Sequence, residues 1–433
     1  MSLLARRVAS LGTENAFKIG PHIQRVENAG HRVIKCNLGE PDFPLPAHIR
    51  EEVKRQLDAG NTHYCDPQGI LPLREAIAEE MGRSRGLSIS PDRVVVFSGA
   101  KPPIGFTQQT YCDPGDEVIY PSPGFPIYES FVTYLGAKPV PLHLDERSGF
   151  SFTRRNLEPL LSDRTKVIIL NFPSNPTGGV ATLDQLEGIA DLILSKAPAD
   201  VRVYSDEVYE KILFDGREHH SIASLPGMAE RTIIVSGVSK TFSWTGGRVG
   251  WAVLPTAMEA ALFKNLNINT VSCVPAYNQM GARLGIVSPE SVPAIEEMVT
   301  AFRKRRDRVV AGLNAIEGIS CQKPGGAFYV FPNISGVCET IGAFAAHEAL
   351  PREVRAATSP ATLFQMFLLL RYHVAAMDRR SFGVLGSEGR HYLRISIATG
   401  IGDLEEAVAR IARASADRDG FFAFMKEAAP PWN

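Results

Sequence analysis

The chain has 433 residues, room for two or three domains at roughly 150 residues each. Its 46 Lys and Arg balance 47 Asp and Glu, a formal net charge of −1, so no global field draws it to nucleic acid or to an acidic membrane surface. A hydrophobic fraction of 44% and a charged fraction of 21% exclude disorder and permit a large core. Six cysteines lie far apart, with no C-x-x-C pair and no histidine at zinc spacing, so neither a disulfide framework nor a metal site is expected. The apolar run before Arg6 is too short for a signal peptide. The longest later one, around Leu363 to Leu370, falls far below the ~20 residues of a membrane span. A cytoplasmic protein is expected.

In chain order, Ile49, Val53 and Leu57 recur at helical spacing within 48–60, and Leu73, Ile77 and Met81 repeat the pattern within 70–84. Short β-branched runs follow at 94–97, 117–120, 167–170, 201–204 and 232–235. Continuous apolar runs of this length suit strands buried on both faces, as in parallel sheets. Helical stretches such as Leu183 to Leu194 lie between several of them. This alternation predicts an α/β open sheet, whose ligands bind beyond the C-terminal ends of the strands. The polar departures sit there: SGAK (98–101), NFPSNPTGG (171–179), SDEVY (205–209) and SGVSK (236–240). From about Met298 an arginine-rich helix, GGAFYVF, a helical stretch, HYLRISIA and an amphipathic helix over Leu404 to Ala414 predict a second, smaller α+β domain. Five basic residues between Arg303 and Arg308 suit a solvated helix face, with a nucleic-acid patch as the alternative.

The strand-end motifs gain force jointly. Lys240 is followed eight residues later by Arg248, Asp206 three residues later by Tyr209, and Asn175 sits in an N-P-T-G turn. Alone, each is weak, since NPTG is ordinarily just a turn. Further motifs join them: NLGEPDFPLP (37–46), HYCDPQGILPLREAIA (63–78), DPGDEVIYPSPGFPIY (113–128), VSKTFSWTGGRVGW (238–251), KPGGAFYVFP (323–332) and YLRISIA (392–398). With this series the chain resembles, from about Gly12 to Ala414, the fold-type I pyridoxal-phosphate-dependent aminotransferases of class I/II, the aspartate and aromatic aminotransferase superfamily.

The resemblance implies a large cofactor-binding domain (46–300) with a mostly parallel seven-stranded sheet. It also implies a small α+β domain (301–433), completed by part of an N-terminal arm (1–45). Pyridoxal 5′-phosphate would form a Schiff base with Lys240. The residue type suits that role, because an amine in a cationic or apolar surround is a competent nucleophile toward an aldehyde and, once freed, a proton carrier. Asp206 would hold the pyridine nitrogen protonated so that the ring draws electrons; the plainer reading is a helix N-cap. Asn175 and Tyr209 would hydrogen-bond the ring's phenolic oxygen. Ser98, Gly99, Ala100 and Lys101 at a helix start, Ser239, and Arg248 would take the phosphate, with Ser236 a weaker candidate. Phe125 would stack on the ring. Tyr64 matches a tyrosine that reaches the phosphate from the partner subunit, so a homodimer is expected. Arg394, the Gly39 backbone and Asn175 would hold the substrate's α-carboxylate.

Three departures bear on substrate choice. Gly247 stands where close members usually carry a tryptophan, which predicts an open wall. Ala9 lies where some acidic-substrate members carry a lysine. Between Phe331 and Phe382 the chain is longer than expected, as a surface connection or a pocket lid. The aromatic tail from Phe421 to Trp432 is expected to dock on the body. The implied activity moves an amino group from an L-amino acid, by default of aspartate or aromatic type, to a 2-oxo acid, with no nucleic-acid or membrane partner. A lyase, decarboxylase or synthase on the same scaffold is the first rival. A non-catalytic regulator is the second, disfavoured because only about thirty residues precede NLGEPDF.

Overall fold

The computed structural model describes residues 3–12 and 18–427. Its main sheet has seven strands: β1 (Val94–Phe97), β2 (Glu117–Ser122), β3 (Lys138–His143), β4 (Thr165–Asn171), β5 (Arg202–Asp206), β6 (Thr232–Gly237) and β7 (Gly250–Val253). They lie side by side in the order β1-β7-β6-β5-β4-β2-β3. β7 runs antiparallel to β1 and β6; the remaining pairings are parallel. Every residue of β1, β2, β6 and β7 is buried. Helices on both faces therefore replace solvent, as the unbroken apolar runs require.

Two strands escaped the sequence reading. β3 (KPVPLH) carries Pro139 and Pro141, which donate nothing to a ladder and are tolerated because the strand lies at the sheet edge, largely half-exposed. β7 is a four-residue return that begins on a glycine just after Arg248. The helices Ala47–Asp58, Leu71–Arg85 and Leu183–Lys196 fall where periodicity places them. The last opens on a reciprocal cap: the Thr182 hydroxyl accepts from Gln185 N–H, and the Gln185 amide oxygen accepts from Thr182 N–H.

C-terminal to the main sheet, Tyr329–Val330, Leu393–Ser396 and Met377–Asp378 form a small antiparallel sheet. Ile34–Lys35 pairs parallel with Val374–Ala375, tying the N-terminal segment to the C-terminal part. Helix Ser291–Asn314 carries the basic run, and three of its arginines pair with carboxylates of the same chain. Arg305 pairs with Asp42 at 2.6 Å, fully buried Arg306 with Asp215 at 2.8 Å, and Arg308 with Glu405 at 2.6 Å.

The extra length before Phe382 is in part a surface connection, helix Arg352–Ala357 having no buried residue, and in part core. It folds as short helices ending in Pro360–Tyr372, whose Leu363, Phe364, Phe367, Leu368 and Leu369 are completely buried. A helix apolar nearly all round belongs in a core. Phe367 meets Phe421 and Phe424 of helix Arg418–Glu427 at 5.4 and 5.5 Å, so the first tail aromatics dock. Trp432 lies outside the described residues. Among the described residues no helix is long and apolar enough to cross a membrane.

Candidate active site

The C-terminal ends of β1, β4, β5 and β6 open onto a cavity of about 430 Å³. Asp206 closes β5, Asn175 follows β4, and Ser239 and Lys240 lie in the first turn after β6. Ala100 and Lys101 lead into helix Pro102–Tyr111 after β1. All six side chains line this cavity, as do Phe125, Tyr209, Arg248, Arg394 and Gly39.

Asp206 is the electrostatic centre. Its carboxylate is buried and accepts from the Tyr128 hydroxyl at 2.6 Å and from Val208 N–H at 3.4 Å. Burial pushes its pKa up to about 6, against the lowering effect of the Tyr128 hydrogen bond. The positive charge of Lys240 also lowers it, by less than burial raises it. Lys240 Nζ donates to the Gly39 carbonyl at 2.5 Å and lies 5.9 and 5.8 Å from the Tyr209 and Phe328 ring centroids. Its aromatic surround suits a reactive amine.

Arg248 holds a left-handed backbone, φ 52°, that turns its guanidinium back toward β1. Nη1 donates to Thr245 O at 2.8 Å and Nη2 to Ser98 O at 3.2 Å. Gly99 is required there, because a Cβ on it would lie 2.2 Å from Arg248 Nη2. Ser98 and Gly99 thus shape the anion cradle from behind and do not line the cavity. Arg394 is buried, with Nη1 donating to Asn175 Oδ1 at 3.1 Å and Nη2 to Asn37 O. Its guanidinium lies between the rings of Tyr329 and Phe382, 4.7 and 4.8 Å from their centroids. Such a stacked fork presents a planar cation to a carboxylate. Phe125 sits edge-on to Tyr128 at 5.8 Å, and Lys101 Nζ lies 5.7 Å from the Phe125 ring. Tyr64 is outside the cavity and 90% exposed.

Ser236 points away from the cavity, into a buried ionic network behind it. Its hydroxyl donates to Glu210 at 3.0 Å. Arg85 Nη2 lies 2.5 Å from both Glu207 and Glu210, and Glu207 also meets His219 at 2.9 Å and the Ser221 hydroxyl at 2.6 Å. Burial would push the Glu207 carboxyl up, but the charges of Arg85 and His219 hold it well below the usual carboxylate range. Glu207, Glu210 and His219 have the residue types of a metal site, yet the Arg85 guanidinium occupies the space between the two carboxylates. The network locks the end of β5, which carries Asp206, to β6, which leads into Lys240. Arg85→Ala is expected to destabilise the protein by about 3–5 kcal/mol, measured by denaturant unfolding, by leaving buried Glu210 without its cation and Glu207 with His219 alone.

A family model, Aminotransferase class I and II, matches residues 31–411. The chain belongs to the class I and II aminotransferases. The aspartate aminotransferase of Rhizobium meliloti is 34% identical over 411 residues, 95% of each chain. The aromatic-amino-acid aminotransferase 2 of Thermococcus litoralis is 35% identical over 380 residues, 88% of this chain and 90% of that one. Among solved structures, the Rhizobium meliloti aspartate aminotransferase superposes with a TM-score of 0.85 at 32% identity, covering 96% of this chain and all of that one. The fold is therefore fold-type I, and the protein is an aminotransferase.

One expected departure from this aminotransferase family closes on itself. The wall beside Gly247 is not open, because the indole of Trp244 fills it: a Cβ at Gly247 would lie 2.2 Å from Trp244 Cε2. The other edge of the indole reaches Gly281, whose Cβ would lie 3.1 Å from Trp244 Cη2. A tryptophan three residues upstream thus occupies the space next to the glycine. Gly247→Ala should cost about 1–3 kcal/mol by overpacking, and Trp244→Ala in the same chain should relieve it, both read from melting temperature. Tyr128, Asn171, Asn37 and Tyr329 are functional neighbours that the sequence reading did not assign. All four lie in the motifs that carry the resemblance, the signal that could have found them.

Proposed function

We propose that this aminotransferase is loaded with pyridoxal 5′-phosphate on Lys240 and transfers the amino group of an aspartate- or aromatic-type L-amino acid to a 2-oxo acid. The observation that carries the reading is the convergence of Lys240, Asp206, Arg248 and Arg394 on one cavity. Asp206 fits that cofactor: a buried carboxylate whose pKa burial raises, against the lowering charge of Lys240, suits a protonated pyridine nitrogen. When bound, the cofactor supplies an electron-withdrawing ring that spreads charge from the substrate's α carbon.

The protein does the rest. Asp206 would keep the ring nitrogen protonated, and Asn175 and Tyr209 would donate to the ring oxygen. Arg248, Ser239 and the N–H groups of Ala100 and Lys101 would hold the phosphate dianion. Arg394 grips the α-carboxylate beside Gly39 and so orients the α-hydrogen. The Lys240 amine would carry the proton at that carbon. The relatives named aspartate and aromatic-amino-acid aminotransferases support the donor type.

The same reading assigns residues 46–300 to the large domain, with 1–45 and 301–433 forming arm and small domain. It makes the protein a homodimer with Tyr64 donated across the interface. Supporting this, Tyr64 projects from the surface, and Met258, Leu262, Ile268 and Val271 expose apolar area on and just past helix Ala257–Thr270. Six free cysteines suit a reducing, cytoplasmic compartment. The test is a panel of amino donors against 2-oxoglutarate, oxaloacetate and pyruvate. Transamination yields one aminated acceptor per donor oxidised to its 2-oxo acid. Release of ammonia or carbon dioxide instead would favour a lyase or a decarboxylase.

A further inference from the structure

Tyr329 touches more of the assigned groups than any motif implies. It lies in the two-residue strand Tyr329–Val330, opposite Ser396 in the strand that also carries Arg394. It is buried and lines the cavity. Its hydroxyl oxygen is 2.8 Å from that of Tyr209. Arg394 Cζ stands 4.7 Å from its ring centroid. Gly39 closes on the same hydroxyl so tightly that a Cβ there would lie 2.2 Å from the oxygen. The Gly39 carbonyl in turn accepts from Lys240. The arginine for the substrate, the tyrosine facing the cofactor and the backbone beside the lysine therefore meet on one phenol.

We infer that Tyr329 is a positioning residue that acts through Tyr209, donating its hydroxyl proton to the Tyr209 oxygen while Tyr209 donates to the cofactor's ring oxygen. This rests on the pyridoxal phosphate reading above. Hydrogen counting fixes the direction. Each phenol carries one O–H. Once Tyr209 gives its own to the ring oxygen, the 2.8 Å contact is satisfied only with Tyr329 as donor. Consecutive donors polarise one another, so the chain makes Tyr209 a stronger donor and steadies negative charge on the ring oxygen. The Tyr329 ring also backs the Arg394 guanidinium and so fixes the spacing between carboxylate grip and ring oxygen. Gly39 is glycine because the hydroxyl occupies the space of a side chain.

The test titrates the visible absorbance of the cofactor-loaded protein against pH in four forms: wild type, Tyr329→Phe, Tyr209→Phe and the double variant. A less stabilised ring oxygen holds the nearby proton on the Lys240 nitrogen more tightly, so the midpoint should rise by about 0.3–0.5 pH unit in Tyr329→Phe and further in Tyr209→Phe. Because Tyr329 acts through Tyr209, the double variant should match Tyr209→Phe alone. Equal midpoints for wild type and Tyr329→Phe, or shifts that add in the double variant, overturn the inference. A Tyr209→Phe midpoint equal to wild type, or a wild type with no titrating visible band, overturns the underlying cofactor reading instead. Should Tyr329→Phe fail to retain cofactor, Gly39→Ala, which drives a methyl group into the hydroxyl, takes its place. A raised midpoint there supports the link, and an unchanged one overturns it.

Discussion

Lys240→Ala should lower turnover by at least ~10⁴-fold, because one side chain supplies both the covalent attachment and the proton carrier. The same variant should show no protein-bound cofactor after borohydride reduction. The loss is chemical, not structural. Lys240 is only half-buried, and its amine, which donates to the Gly39 carbonyl, lines the cavity rather than the core. The melting temperature of the cofactor-free form should therefore move little. A second lysine, Lys101, lines the same cavity, which makes the experiment discriminating. Peptide mapping of the reduced wild type should find the adduct at position 240. An adduct at 101, or appreciable turnover in Lys240→Ala, would reverse the assignment.

How much of this was legible in the sequence follows from the range over which each feature is decided. β1 and β6 are short apolar runs whose burial needs no distant partner to be guessed, and both fall where expected. β3 was hidden because prolines argue against a central strand, and only its edge position makes them harmless. Lys240, Asp206, Asn175 and Arg248 were legible because each sits in a motif at a strand end, and strand ends of an open sheet converge by topology. Nothing local joins Arg85 to Glu207, which lie 122 positions apart, or Tyr329 to Tyr209, 120 apart. A side chain's partner across such distances is set by packing alone. Gly247 shows the same limit from the other side. Read along the chain it predicts a gap, whereas in three dimensions Trp244 has already filled it.

Asp206→Asn should separate stability from catalysis in opposite directions. In the cofactor-free protein burial raises the Asp206 pKa from 3.8 to about 6. The folded state therefore holds a proton between those values that the unfolded chain releases, and stability falls as pH rises through that window. Above about pH 6 the folded protein carries the full cost of a buried, ionised carboxylate, about 3 kcal/mol. Asparagine keeps the size and an acceptor for Tyr128 without the charge, so at pH 8 the cofactor-free variant should be more stable than wild type by up to that amount. Near pH 4 the two should converge. With cofactor loaded the order should invert, since the cation that the carboxylate faces then compensates the charge in wild type alone. Turnover in the variant should fall by roughly 10²–10³-fold or more, the scale of losing one preorganised charge at a reacting system. Denaturant titrations of both forms at pH 4 and pH 8 read the first effect, and steady-state kinetics the second. A variant no more stable than wild type at pH 8 without cofactor would mean that Asp206 is not the strained, waiting anion on which the cofactor reading depends.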